Sequence, residues 1–517
     1  MKRTVILILI SALTALAPRP ASAQDQQVLN LGLEDCIAKA LRNNLAVAVE
    51  KFNPDLADIE VTKSHEMFMP RFDVTYASNR TANPSYWFLQ GSGTSISNLA
   101  NYGLAVAETV PTGGSISVSL QSYRSETNEA FQLINPRYGS TLQFSLTQPL
   151  LKNFGPKVTR RAIIQAENSL SVAQLQLRGT MQDTVYLVQQ TYWNYFYAVE
   201  NAKVKRQSLQ LARELLDKNK KEVEFGQIAP IDVLTAESTV AQRDADLIEA
   251  EGLIRRSEEV LKSVINLAAE GNARTKKVLP SDKLAYAENR VTLDEALKEA
   301  MERRPDLQIL KKGQEIKELN VSVARNQTLP SLDLQLTYFS PGISGDLLIY
   351  QNNDYFSGVV IGTQKSGPGV ALGDAFKFLY SNWNIGLTLS VPLSTLLTKA
   401  DLTYARMDLS QNLIRIKNQE QQIELEVSDA IRTIETDAKR VEALRVSREL
   451  AEKTLEGEEK KLKVGLSTNY FVLDFQEKLA NARSAELRAQ IDYILAVASL
   501  EKAMGVNLET RGFKVVQ

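Results

Sequence analysis

The sequence predicts a mixed α and β chain with an internal two-fold repeat, strands that enter a membrane and very long helices that stay in water. Three observations predict it. An export signal opens the chain, yet no later apolar run reaches the ~18 residues of a spanning helix. Four sequence anchors recur in the same order in each half. In both halves a period-two pattern gives way, after a proline, to a proline-free helical stretch of about 65–70 residues.

Composition narrows the function classes. Sixty basic residues face 61 acidic ones for a net charge of -1, with no basic stripe, which argues against a nucleic-acid partner. The single cysteine, Cys36, excludes an intramolecular disulfide framework and a multi-cysteine metal site. The single histidine, His65, leaves no histidine-based zinc site and no Ser-His-Asp triad. A 44% apolar content is ample for a packed core and rules out global disorder. There is no GxxxxGK[ST] loop and no acid–base–nucleophile set, so neither an enzyme nor a bound cofactor is expected.

Lys2 and Arg3, the apolar run Val5 to Leu16 and Ala21-Ser22-Ala23 form a secretory signal peptide over 1–23, so the mature chain starts at Gln24. With no spanning helix beyond it, membrane insertion must use strands. The repeat is carried by four pairs of anchors. Leu31-Gly32-Leu33-Glu34-Asp35 answers Val291-Thr292-Leu293-Asp294-Glu295, and Met69-Pro70 answers Leu329-Pro330. Gln148-Pro149-Leu150 answers Val391-Pro392-Leu393, and Glu224-Phe225-Gly226 answers Lys463-Val464-Gly465. The domains are therefore a first structural repeat over 24–267, a polar linker over 268–290, a second repeat over 291–508 and a tail over 509–517.

Strands come from alternation. Leu332, Leu334, Leu336 and Tyr338 share one face, and Trp383, Ile385, Leu387, Leu389 and Val391 share another. Phe72, Val74 and Tyr76, then Leu142, Phe144 and Leu146, do so in the first half. Tyr86-Trp87-Phe88 and Phe376, Phe378, Tyr380 and Trp383 supply aromatic clusters for interfacial girdles. An extra hairpin signal over 103–122, turning at Pro111-Thr112-Gly113-Gly114, either adds two strands to the wall or lies outside it as a loop or plug. The sequence leaves both open: four strands per chain, or six and about eighteen in a trimer.

The helical stretches follow. Leu170, Ala173, Leu177, Met181, Val185, Val188, Tyr192, Tyr195 and Val199 form one stripe; Leu409, Leu413, Ile416, Ile423, Val427, Ala430 and Ile434 form the other. At 1.5 Å per residue such helices span ~100 Å, far beyond a bilayer's core, and suit coiled-coil packing.

Four or six strands cannot close a membrane barrel alone, so the chain must oligomerise. Over roughly Leu29 to Leu508 this layout resembles the TolC family of outer-membrane efflux ducts. The marks of the resemblance are the paired proline junctions and the two tip turns, Phe225 to Val233 and Val464 to Asp474. It implies a homotrimeric transmembrane β-barrel continued by a long periplasmic α-helical (coiled-coil) barrel, set in outer-membrane lipid. It also implies tips that dock on a periplasmic adaptor protein and an inner-membrane pump. The expected role is a passive, gated exit duct of a tripartite efflux or type I secretion system. A non-conducting envelope-spanning tether is the competing reading, and the strand alternation argues against it. Drug, metal and protein cargoes are not distinguished by these residues.

Site residues follow from the tips. Gly226 and Gly465 end the long helices in the left-handed conformation that favours glycine, and with Ile228 and Leu466 they are the adaptor-docking candidates. The resemblance places Asp232 and Asp474 at the closed periplasmic aperture, where three copies of Asp474 would make a cation-favouring ring. Each also suits a helix's first turns for macrodipole reasons. Two departures unsettle the family's latch: Ser467 stands where a basic residue is expected, and Phe471 where an aspartate is, offering instead an apolar constriction. Lys460, Lys461 and Lys463, just before the second tip, read as a solvated charge run, with pairing to Glu458 and Glu459 or to an adaptor's acidic groups as the alternatives. His65 reads as a surface or packing residue, and Cys36 as a small buried one.

Overall fold

The computed structural model describes residues 28–87, 90, 93–269, 271, 276–284 and 291–513. The predicted signal peptide, Phe88, part of the predicted 268–290 linker and the last residues of the tail lie outside them. The first half runs β1 (Val28–Leu31), α1 (Leu33–Asn43), α2 (Leu45–His65), β2 (Arg71–Pro84), β3 (Thr94–Thr109), β4 (Ser115–Thr127) and β5 (Ile134–Pro149). It ends with the long helix α3 (Arg161–Glu224) and α4 (Pro230–Val264). After β6 (Lys277–Pro280) come α5 (Leu293–Arg303), α6 (Pro305–Gln327), β7 (Ser331–Tyr350), β8 (Val360–Gln364), α7 (Pro368–Phe376) and β9 (Asn382–Ser390). The chain closes with the long helix α8 (Leu396–Lys463) and α9 (Asn469–Ala503). The proline-free spans thus become single helices of 64 and 68 residues.

The chain packs as two units. One gathers residues up to Ala48, Met181–Leu293 and those from Ser428 onward. Its core joins Cys36, Ile37, Val185, Val188, Tyr192, Tyr195, Leu261, Ile265, Ile491 and Leu508, all fully buried. The linker is not all coil, because β6 within it pairs in parallel with β1. Two tyrosines of α3 secure this pair: Tyr195 donates to the Val278 carbonyl at 2.5 Å and Tyr192 to Asp282 at 2.6 Å. Asp282 also accepts from the Leu33 amide at 2.7 Å, satisfying a first-turn donor of α1. Cys36 is fully buried here; burial, reinforced by Asp35 and Asp282, pushes its thiol up to about 12.

The other unit, Val49–Thr180 and Asp294–Val427, holds the larger sheet. Its order is β2-β3-β4-β5-β7, with β9 and the short β8 both pairing β7. The hairpin the sequence left undecided is therefore part of the sheet: β3 pairs β2 over its length and β4 pairs β5. Register is continuous, so one face collects Phe72, Val106, Val118, Phe144, Tyr338 and Trp383 in a single row. Among the described residues nothing covers that row's edges, since Phe72 is 64% and Trp383 72% exposed. The opposite face carries Asp73, Asn101, Gln121, Thr141, Gln335 and Asn384. A water-soluble sheet buries its apolar face; this one presents it outward.

The helical stripes are mostly as the periodicity predicts. Ile416, Ile423, Val427, Ala430 and Ile434 are buried along α8. Leu413 is a correction: it is exposed, and Asn412 takes the inward place, its amide donating to the Leu310 carbonyl at 3.3 Å. The inward seam drifts along so long a helix, and a polar residue with a partner fills the slot. Outside that seam, Tyr404, Met407, Ile414 and Leu425 are all exposed, as are Leu45, Val49, Phe52, Leu56 and Ile59 along α2.

Candidate functional site: the two helical tips

Both tips are built by the same local physics. Helix α3 ends where the Gln227 amide donates to Glu222 O at 2.8 Å and the Gly226 amide to Val223 O at 2.9 Å. Helix α8 ends identically, Leu466 to Lys461 O at 2.9 Å and Gly465 to Leu462 O at 3.1 Å. This is the Schellman termination, and it needs a left-handed residue: Gly226 has φ 69° and Gly465 φ 76°. A few residues later α4 restarts with Pro230 in its first turn, and α9 restarts behind Thr468. The two hairpins share a core just inside the tips, joining Leu215 and Leu216 of α3, Ala236 of α4, Leu455 of α8, and Val472 and Leu473 of α9.

The tips expose an apolar surface that the docking candidates only partly anticipate. Leu466 is 79% exposed, and Ile228 is half-buried. Phe225, Ile231, Leu234, Val464 and Tyr470 are also exposed, and the sequence reading missed them. The available signal was adjacency to the glycines: a large apolar residue immediately before a left-handed turn has no helical neighbour to pack on. Tyr470 and Phe471 stand edge to face at 5.7 Å, both exposed.

The gate candidates fall on the margins of the shared core. Asp232 lies in the first turn of α4 and Asp474 in the second turn of α9, next to the core residues Val233 and Leu473. Counting from each glycine, Phe471 occupies the place of Asp232. Asp474 is not a lone acid: Lys478 donates to it at 2.6 Å across one helical turn. Ser467 also has a partner. Its hydroxyl donates to Glu458 at 2.5 Å, and Lys461 reaches the same carboxylate at 3.0 Å. Those two contacts, the serine first, hold the Glu458 carboxyl below its ordinary range. Lys461 thus makes one of the pairings the sequence offered as an alternative to a solvated charge run, whereas Lys460 pairs with Glu456 at 2.7 Å.

A further residue, unmarked by any motif, ties the hairpins together. Arg243 of α4 is buried and donates to Ser208 O of α3 at 3.0 Å. It also donates to Leu473 O at 2.7 Å and Gln476 Oε1 at 3.3 Å, both on α9. Burial lowers its pKa, partly offset by Glu477 and Asp246. Among the described residues no His, Cys, Asp and Glu set is placed to hold a metal ion. No helix among them is long and apolar enough to cross a membrane.

Comparison with known proteins gives consistent findings. A family model described as outer membrane efflux protein matches residues 97–267 and 296–506. The outer membrane protein TolC of Vibrio cholerae serotype O1 is 25% identical over 369 residues, 69% of this chain and 76% of that protein. The Campylobacter jejuni CmeC outer membrane channel has a TM-score of 0.63 at 16% identity, over 92% of this chain and 86% of that one. The Neisseria gonorrhoeae MtrE outer membrane channel, solved in its open state, has 0.60 at 18%, over 92% and 89%. At such identities the structural likeness speaks for the fold alone.

Proposed function

Since this chain belongs to the outer membrane efflux protein family and resides in the outer membrane with a large periplasmic portion, we propose that it is the exit duct of a tripartite efflux or type I secretion system. It conducts passively, from an inner-membrane pump to the exterior, through a gated homotrimer. The observation that carries this reading is the two-faced sheet, whose apolar side faces out of the chain while its polar side lines the other face. Such a sheet is stable in lipid only if its edges are paired. Here β2 and β9 end the sheet, so a second and third copy must complete it, giving about eighteen strands from six per chain.

The exposed stripes support the same assembly. Leu45, Val49, Phe52, Leu56 and Ile59 follow the 3–4 spacing of a helix face that packs on another helix. Tyr404, Met407, Ile414 and Leu425 add a second apolar face, uncovered among the described residues. In the trimer these stripes become helix–helix seams of the periplasmic tunnel, and the repeats over 24–267 and 291–508 alternate around its wall. The tips carry the adaptor-docking surface, with Gly226 and Gly465 shaping it and Ile228 and Leu466 on it. Asp232, Phe471 and Asp474 line the aperture.

Single-channel recording of the purified mature protein in a planar bilayer under a salt gradient tests the reading. Discrete conductance steps are expected. A folded trimer that stays silent even after its tips are loosened by mutation would favour the tether instead.

A further inference from the structure

Helix α7 occupies an unusual place. The register of β5 with β7 is unbroken from Gly345 to Asp333, so Ser340, Gly342 and Ser344 continue the face that carries Leu336 and Tyr338. That is the apolar, outward face, and α7 lies on it. A Cβ on Gly342 would come within 2.0 Å of the Ala371 carbonyl oxygen, so the helix backbone rests directly on the strand. Ala371 and Ala375 are fully buried against it. The seat is made of small residues: Gly342 pairs with Ser140 of β5, which pairs with Ser122 of β4.

The helix is fastened at both ends. At its start Ser344 Oγ donates to Gly367 O at 2.9 Å. At its end Phe378 takes the left-handed conformation, φ 54°, that glycine normally supplies and that strains a residue with a side chain. Its ring explains why the strain is held: it packs against Phe144 at 6.3 Å and Tyr338 at 5.9 Å, both in the apolar row. The outward side of α7 remains apolar, with Val370 and Phe376 each 53% exposed and Leu372 exposed beside them. Leu379, Tyr380 and Trp383 extend this surface into the apolar band. Lys365 and Lys377, both exposed, bracket the helix.

We propose that α7 is a membrane-interface helix, clamped to the outside of the barrel wall and seated in the headgroup–acyl boundary of the outer leaflet. The inference rests on the reading of the sheet as a membrane wall. Its position follows from the fold. Strands β2, β5, β7 and β9 meet helices at Arg71, Pro149, Ser331 and Ser390, and α7 sits beyond the apolar rows toward the opposite, loop-bearing end. A helix left facing water would carry a polar outer side; an apolar outer side continuous with a lipid-facing band suits the boundary, where such helices lie ~5–10 Å deep. The two lysines reach the phosphates of the headgroup layer.

The test places a bimane fluorophore on Leu372→Cys, with Val370→Cys as a second site, in mature protein reconstituted into phospholipid vesicles. Buried Cys36 in the unsubstituted protein gives the labelling blank, Leu104→Cys reports the apolar band, and Ser357→Cys reports an exposed loop. Phospholipid brominated near the carbonyl end should quench the Leu372 and Val370 probes several-fold more than aqueous iodide does. Iodide quenching equal to that at Ser357 overturns the proposal, because the helix then faces water. Protection from both quenchers also overturns it, because a second copy of the chain then covers the helix. If bromolipid fails to quench even Leu104, the membrane-wall reading itself falls and takes the proposal with it. Quenching at Leu104 without quenching at α7 removes the proposal alone.

Discussion

Arg243 donates to the main-chain carbonyl of Leu473 at 2.7 Å, tying the helix after the first tip to the helix after the second. Its other nitrogen holds Ser208 on α3, so one guanidinium spans three helices. On the proposed reading, opening an aperture at the tips moves one hairpin against the other, and this clamp would oppose that motion. Arg243→Ala should raise open probability in planar-bilayer recording and lower stability by about 2 kcal/mol, the order of losing charge-assisted hydrogen bonds net of recovered solvation. Arg243→Lys should restore little, because an ammonium lacks the planar fork. Unchanged gating in both variants would mean the clamp carries no load.

Ser467 donates its hydroxyl to Glu458 at 2.5 Å, a contact proposed as the latch of the second tip. Glu458 has its pKa depressed in the folded state, so its contribution is present above the ordinary value of 4.5 and is lost as pH falls through the folded value. Acidification below about 4.5 should therefore loosen the second tip. Amide hydrogen exchange over residues 464–470, corrected for intrinsic rates, should accelerate in acid. Ser467→Ala should show part of that acceleration already at neutral pH. A flat pH response would dismiss the latch.

Asp474 comes with its own counter-ion, which changes what the acidic-ring idea predicts. In the proposed ring, Lys478 at 2.6 Å would screen each carboxylate, so its selectivity would be a difference between two opposed charges. Asp474→Asn should shift the reversal potential in a salt gradient toward anions, and Lys478→Gln should shift it toward cations. Opposite shifts support the ring; no shift in either variant removes it.

Much of this was legible in the sequence because it is local. The absence of proline over about 157–226 and 399–465 foretold α3 and α8, and alternation from Trp383 to Val391 foretold β9. The fate of the 103–122 hairpin was not legible, since it depends on β3 meeting β2 and β4 meeting β5, which the hairpin's own pattern does not encode. Leu413 misled because a stripe drawn by spacing ignores the drift of a long helix past its neighbours. At the tips, the left-handed glycines were legible from their turns. The partners of Ser467 and the reach of Arg243 were not, because a helix-facing arginine reads as a solvated charge until three helices close around it.

Docking at the tips calls for a variant that spares the backbone. Gly465→Trp would place a bulky residue at φ 76°, so it tests strain and docking together. Leu466→Asp and Phe225→Asp change only exposed side chains, 79% and 77% accessible in the single chain. Each should weaken capture of the proposed adaptor partner in a pull-down by at least tenfold, while thermal unfolding of the protein stays within a few degrees. Binding that survives both substitutions would move the docking surface away from the tips.

Cys36 offers a check on the periplasmic core that is independent of gating. Its thiol is pushed up to about 12, chiefly by burial, so at pH 8 almost none of it is thiolate. The folded protein should leave a chromogenic disulfide reagent unreacted for hours at that pH, and one equivalent should react once denaturant is added. Folding holds this thiol protonated above its ordinary value of 9.0, so the stability it confers is fully present below pH 9 and drains away as pH rises toward 12. Cys36→Ala should accordingly flatten the alkaline limb of the stability curve while introducing a small packing loss at neutral pH. Rapid labelling of the native protein at pH 8 would show that the α1 region opens readily, contrary to the packing of Tyr192, Ile265 and Leu508 around it.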